Sequence, residues 1–280
     1  MNPPDGPDAR FDSVSFDDAS SDTASSDTVL FDTAFFRAWI TRVADAVEAE
    51  REHLTALDSA IGDGDHGANL SRGFAAVMRT FDVSSPRTPA TVLVLTGTTL
   101  ISKVGGASGP LYGTAFRRAG QALNDAPDVD LAGLAGALGA ALAAVRKLGA
   151  AHDGDKTMVD ALAPAVETLD KAVLAGASPR DALTAAAAAA EAGAEATIPM
   201  QAHKGRASYL GPRSVGHKDP GAASTALILA ALRDTAVAIE GGHSGADAGG
   251  DTRSGDGGEH DDGDDTSGDD TGSDSTDHVA

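Results

Sequence analysis

The chain has 280 residues, no cysteine and a formal net charge of −21, with 42 acidic side chains against 21 Lys and Arg. That balance argues against a nucleic-acid or anionic-membrane partner, and the lack of cysteine fits a cytoplasmic protein without disulfides. No basic stretch running into an apolar core marks a signal peptide, and the longest apolar run, Leu131–Val145, is too short and too rich in Ala and Gly to span a bilayer.

The charge is concentrated at the ends. Residues 1–33 hold eight acidic residues and one arginine, and residues 241–280 hold twelve and one, which leaves −3 for the region 34–240. Both ends are rich in Asp, Ser, Thr and Gly and poor in large apolar residues, so they cannot bury enough surface to offset the cost of ordering. They are expected to be disordered tails on either side of one domain.

From Phe36 the apolar positions Phe36, Trp39, Ile40, Val43, Val47, Leu54, Leu57 and Ile61 keep the three-to-four spacing of a single long helix. LDSAIGDGDHGAN (57–69) follows, with the pattern D-x4-D-x-D. Asp58 ends the helix, while Asp63 and Asp65 lie two apart in a glycine loop and can face the same way. Oxygen-only ligands at this density suit a hard cation, Mg²⁺ or Ca²⁺, rather than zinc. An EF-hand is excluded by register, since Gly67 and Phe74 fall where that loop needs carboxylates. The alternative is a capped helix with a solvated acidic turn.

Helices are next predicted over 68–81 and 89–103, the second started by Thr88 ahead of Pro89. Within it, Thr91–Leu95 is the one stretch that also reads as a strand. The loop KVGGASGP (103–110) precedes a helix over 110–124. Its small residues leave backbone N–H groups open at a helix start, where an anion is favoured, although taken alone the loop is more simply a tight turn capped by Ser108. A helix over 130–148 runs into a third polar glycine loop, Gly149–Met158, and helices over 157–174 and 180–197 follow. The fourth loop, Lys204–Gly221, carries five cationic side chains, and Asp219-Pro220 starts the last helix, 221–238. So long a loop in a compact domain is usually functional.

Eight helices joined by short turns define an all-α fold, an eight-helix antiparallel bundle or barrel. In such an up-and-down array the four glycine-rich loops fall at the same rim. Three carboxylates facing two Mg²⁺ ions leave about +1 there, which suits a polyphosphate that also meets Arg206. That is a phosphoryl-transfer site without a P-loop.

GDGDHGANLSRGF (62–74), GGASGPLYGTAF (105–116), GDKTMVDALAPAVETL (154–169) and KGRASYLGPRSVGHKDPGAASTALIL (204–229) resemble, in order, the motifs of the dihydroxyacetone kinase L subunit, DhaL. The resemblance covers roughly residues 34–238 and implies an eight-helix barrel with a nucleotide at one rim. It implies that Asp58, Asp63 and Asp65 hold two Mg²⁺ ions on the phosphates of ADP or ATP. It further implies that His66, Gly67, Ala68, Asn69, Ala107 and Ser108 line the phosphate and ribose site. Gly149 and Met158 would sit near the adenine, with Arg206, Lys218, Asp219 and Pro220 closing over the nucleotide. The family's partners are a K subunit (DhaK), which holds dihydroxyacetone, and a phosphotransferase M subunit (DhaM), which recharges the tightly bound nucleotide from phosphoenolpyruvate. Competing expectations are a direct ATP-dependent kinase subunit, of dihydroxyacetone or fatty acid type, and a nucleotide-loaded regulatory binder.

Overall fold

A computed structural model describes residues 30–243, with side chains through Ile239, so most of both expected disordered tails lies outside the described residues. A two-residue strand, β1 (Phe31–Asp32), leads into α1 (Thr33–Ala49) and α2 (Arg51–Ile61). α3 (His66–Ser84), α4 (Pro89–Lys103) and α5 (Ser108–Ala122) follow, and then β2 (Asp128–Val129) pairs antiparallel with β1. The chain continues through α6 (Leu131–Gly149), α7 (Val159–Leu174), α8 (Pro179–Ala196), a 3-10 helix (Arg206–Ser214) and α9 (Pro220–His243).

Nine α-helices thus stand among the described residues where eight were expected. The long first helix is divided at Glu50, whose φ of −94° and ψ of 9° leave the helical region. Phe31, counted above with the acidic extension, is only 2% exposed and belongs to the core. The fourth loop is not structureless, since nine of its residues form the 3-10 helix, broken at Gly211.

The helix starts follow the expected side-chain chemistry. Thr88 accepts from the Thr91 N–H in a full capping box, and this together with Pro89 settles Thr91–Leu95 as helix. Asp32, Asp130 and Ser178 cap α1, α6 and α8 in the same way.

Each of α3 to α9 packs on the helix before it, and α9 returns to pack on α1 and α2. The seam between first and last helix is pinned by Trp39, whose indole N–H donates to the Ile228 carbonyl at 3.0 Å. Around it Phe35, Phe36, Trp39, Phe116 and Phe74 form a chain of tilted and edge-on rings with centroids 5.5–6.2 Å apart. Leu, Val and Ile fill much of the rest, and alanines are frequent where α7, α8 and α9 meet.

α6 is longer than its apolar run suggested. At 19 residues it is long and apolar enough to cross a membrane, as is the 20-residue Pro220–Ile239 stretch of α9. Here α6 lays one face against α5 and α7, and α9, the more buried of the two, packs against α1, α7 and α8.

Candidate functional site

All four glycine-rich loops line one cavity of about 290 Å³ at an end of the helical array. Asp58 sets the geometry of its acidic side. It sits in the last turn of α2, 8% exposed, and one carboxylate oxygen, Oδ2, accepts from the Asp65 N–H at 2.8 Å and the His66 N–H at 3.2 Å. It thereby serves the start of α3, where Asp65 makes no side-chain cap bond of its own. The other oxygen lies over Gly62, where a Cβ would come within 2.1 Å of it. Gly64, at φ +71°, makes the turn that brings Asp63 and Asp65 back towards Asp58.

One carboxylate oxygen from each of Asp58, Asp63 and Asp65 lies within 4.8 Å of the others. An all-oxygen set so spaced fits a hard divalent cation. Asp63 Oδ2 also receives Arg206 Nη2 at 2.9 Å, so the cationic loop already leans on the acidic one. Gly62→Ala should push the Asp58 carboxylate off its position and weaken Mg²⁺ binding about tenfold, or ~1.4 kcal/mol, measured by isothermal titration calorimetry.

Behind this cluster His66 is buried and bridges two hydroxyls. Its Nδ1 is 3.1 Å from Ser108 Oγ and its Nε2 is 2.8 Å from Ser224 Oγ. Burial pulls the imidazole below its usual value, against the opposing pull of Asp58 and Asp65. Ser108 is therefore not the cap of α5. The helix starts at Ser108 itself, and no side chain caps its first N–H groups. Tyr112 continues the network from one turn further along α5. Burial raises its hydroxyl to about 12, and it stands 2.6 Å from Ser224 Oγ.

The opposite wall is held by Lys156 and Asp219. Lys156 is 1% exposed, and its ammonium donates to the Thr197 carbonyl at 2.7 Å and to the His217 carbonyl. One side chain thus ties the third loop to the fourth. Burial lowers its pKa, with Asp219 acting in the other direction. Asp219 caps α9 by accepting from the Ala222 N–H at 2.7 Å, and burial raises its carboxyl to about 7 in spite of that bond and of Lys156.

A carboxyl whose folded-state pKa lies above its unfolded value takes up a proton on folding. Its contribution is full below the unfolded value, near 3.8, and is lost as the pH rises through about 7. Asp219→Asn keeps an acceptor for the cap and removes the titration. The unfolding free energy of the wild type minus that of the variant should therefore fall between pH 4 and 7. The change should be a few kcal/mol, at about 1.4 per pKa unit, read from urea titrations across that range.

Eleven of the fifteen residues expected at the site line the cavity: Asp58, Asp63, Asp65, His66, Ala107, Ser108, Gly149, Met158, Arg206, Asp219 and Pro220. Four do not. Gly67 packs under α2, where a Cβ would meet the Arg51 carbonyl at 2.0 Å, and Ala68 is exposed. Asn69 is buried and accepts from Arg72, while Lys218 pairs with Glu195, and with Glu191 at 3.5 Å. Those two carboxylates outweigh the effect of burial and raise the Lys218 pKa. Lys156, Tyr112 and Ser224 escaped the sequence reading. Only a lysine among small polar residues at a helix start hinted at the first, and nothing local marked the others.

Fold and site define an all-helical domain whose loops gather carboxylates and an arginine around one cavity. The DAK2 domain pattern matches residues 60–234. The ADP-binding subunit DhaL of the PEP-dependent dihydroxyacetone kinase of Escherichia coli K12 is 45% identical over 194 residues, covering 69% of this chain and 92% of its own length. DhaL of the Listeria innocua PEP-dependent dihydroxyacetone kinase 1 is 41% identical over 199 residues, covering 71% and 94%. Among solved structures, the dihydroxyacetone kinase from C. freundii in complex with AMP-PNP and Mg²⁺ superposes with a TM-score of 0.58 at 27% identity. It covers 81% of this chain, which spans 38% of that longer one. The chain belongs to the DAK2 domain family, as a DhaL-type dihydroxyacetone kinase subunit.

Proposed function

We propose that this chain is the cytoplasmic ADP/ATP-binding subunit of a dihydroxyacetone kinase. It passes a phosphoryl group from Mg²⁺-bound nucleotide to dihydroxyacetone held on a separate K subunit, and an M subunit recharges it from phosphoenolpyruvate. The supporting observation is that the three carboxylates and Arg206 face one cavity, in a chain that matches DhaL subunits over nearly their whole length.

Two Mg²⁺ ions held by Asp58, Asp63 and Asp65 would neutralise phosphate charge and orient the group in transfer. The residues do the rest. Asp58, fixed by two backbone N–H bonds, presents its remaining oxygen without a rotamer search. The uncapped start of α5 offers N–H groups to phosphate, and the apolar wall of Leu111, Val145 and Met158 suits a base. Arg206, which meets Asp63 at 2.9 Å beside the cavity, carries a planar fork suited to two phosphate oxygens at once.

The test uses the purified chain with nucleotide bound, a K subunit and dihydroxyacetone. One equivalent of dihydroxyacetone phosphate per bound ATP is expected, and further turnover should need the M subunit and phosphoenolpyruvate. Rapid multiple turnover on free ATP alone would replace the recharging reading with that of a direct ATP-dependent kinase.

A further inference from the structure

A hydrogen-bonded chain runs from the cavity into the core. Ser108 Oγ, His66, Ser224 Oγ and the Tyr112 hydroxyl follow one another at 3.1, 2.8 and 2.6 Å. The Tyr112 hydroxyl also lies 2.9 Å from the Gly221 carbonyl and 3.0 Å from Thr225 Oγ1. Each hydroxyl has one hydrogen to give, and a neutral imidazole has one, so the chain has two self-consistent arrangements.

In the first, Ser224 donates to the Pro220 carbonyl 2.9 Å away, His66 donates from Nε2 to Ser224, and Ser108 gives its hydrogen to Nδ1. In the second, Tyr112 donates to Ser224, Ser224 donates to Nε2, and His66 donates from Nδ1 to Ser108. The Ser108 hydrogen is then free to point into the cavity that this residue lines. An anion offers acceptors only, so the second arrangement alone serves it. Bonds aligned in one direction also polarise each other and strengthen the last of them.

We propose that Ser224 and Tyr112 are positioning residues that hold His66 in its Nδ1–H tautomer and so turn the Ser108 hydroxyl towards a nucleotide phosphate. The proposal rests on the nucleotide reading above. Ser224 is the group that can donate to Nε2. With alanine there, Nε2 keeps its hydrogen and turns it to the Pro220 carbonyl, which is also within reach of the ring. Nδ1 must then take the hydrogen of Ser108. Ser224→Ala leaves no orphan hydroxyl, because Tyr112 retains Gly221 and Thr225 as partners.

Protein labelled with ¹⁵N-histidine and loaded with Mg²⁺ and ADP gives the tautomer directly from long-range ¹H–¹⁵N spectra. The wild type should show His66 protonated at Nδ1, and Ser224→Ala should show it at Nε2, with ADP affinity about tenfold weaker. Since Ser224 acts through Ser108, the Ser108→Ala/Ser224→Ala double variant should bind ADP no more weakly than Ser108→Ala alone. An Nε2–H ring in the loaded wild type, an unchanged tautomer in Ser224→Ala, or additive losses would each overturn the proposal. A wild type that binds no ADP would overturn the nucleotide reading with it, an outcome distinct from binding with the wrong tautomer.

Discussion

Asp63→Asn is expected to strip the protein of bound nucleotide and of phosphoryl transfer while leaving it folded. Asp63 offers one of the three oxygens that lie within 4.8 Å of one another, so the amide removes a third of the negative charge available to the cations. Losing one charged ligand from such a set is worth on the order of a hundredfold in affinity, ~3 kcal/mol. The fold should hardly notice. The ion pair with Arg206 joins side chains 37% and 67% exposed, and such pairs contribute about 0–1 kcal/mol. Nucleotide released by denaturation and quantified by chromatography gives the answer. Equal content in wild type and variant would remove the metal assignment, and a variant less stable than wild type when both are stripped of metal and nucleotide would mean that Asp63 is structural.

Arg206→Ala is the second large effect, and it should fall on rate rather than on nucleotide content. Its bonds to phosphoryl oxygens strengthen as charge develops on the moving group, so they act mainly in the transition state. Removing one such donor typically costs ~3 kcal/mol, roughly a hundredfold in rate. Arg206→Lys should recover only part of that, since it restores the charge and not the fork. Single-turnover formation of dihydroxyacetone phosphate, with the K subunit present, separates transfer from nucleotide loss. A variant with normal transfer but depleted nucleotide would make Arg206 a clamp for binding alone.

The helical content was legible because its signals are local. Period-3.6 apolar stripes and Thr88-Pro89 and Asp219-Pro220 report on neighbours three or four residues away, and α4 lies where they put it. The bend at Glu50 carries no proline or glycine and was invisible for that reason. So was the β1–β2 pairing, which joins residues 31–32 to 128–129 through backbone groups alone. At the site, the meeting of the four loops could be read from topology, and the three aspartates from their spacing. Lys156 could not, because its partners are carbonyls of Thr197 and His217, 41 and 61 residues away. Main-chain acceptors leave no imprint on side-chain pattern. Ser224 and Tyr112 are hidden likewise, since a serine and a tyrosine on separate helices announce nothing until the helices pack.

The seam pinned by Trp39 bears on how the chain is made. Its indole bond reaches across 189 positions to Ile228, and closing a loop of that size costs roughly 5 kcal/mol of chain entropy before any contact across it repays the cost. The first helix can pack on α3, α4 and Phe116 of α5 as these emerge, but its seam with α9 stays open until that helix has left the ribosome, so this last closure comes late. The single tryptophan touches Phe116 on α5 as well as Ile228 on α9, so its emission should shift to the blue in two stages, the second only after α9 has emerged, an optical record of ring closure in a translation time course.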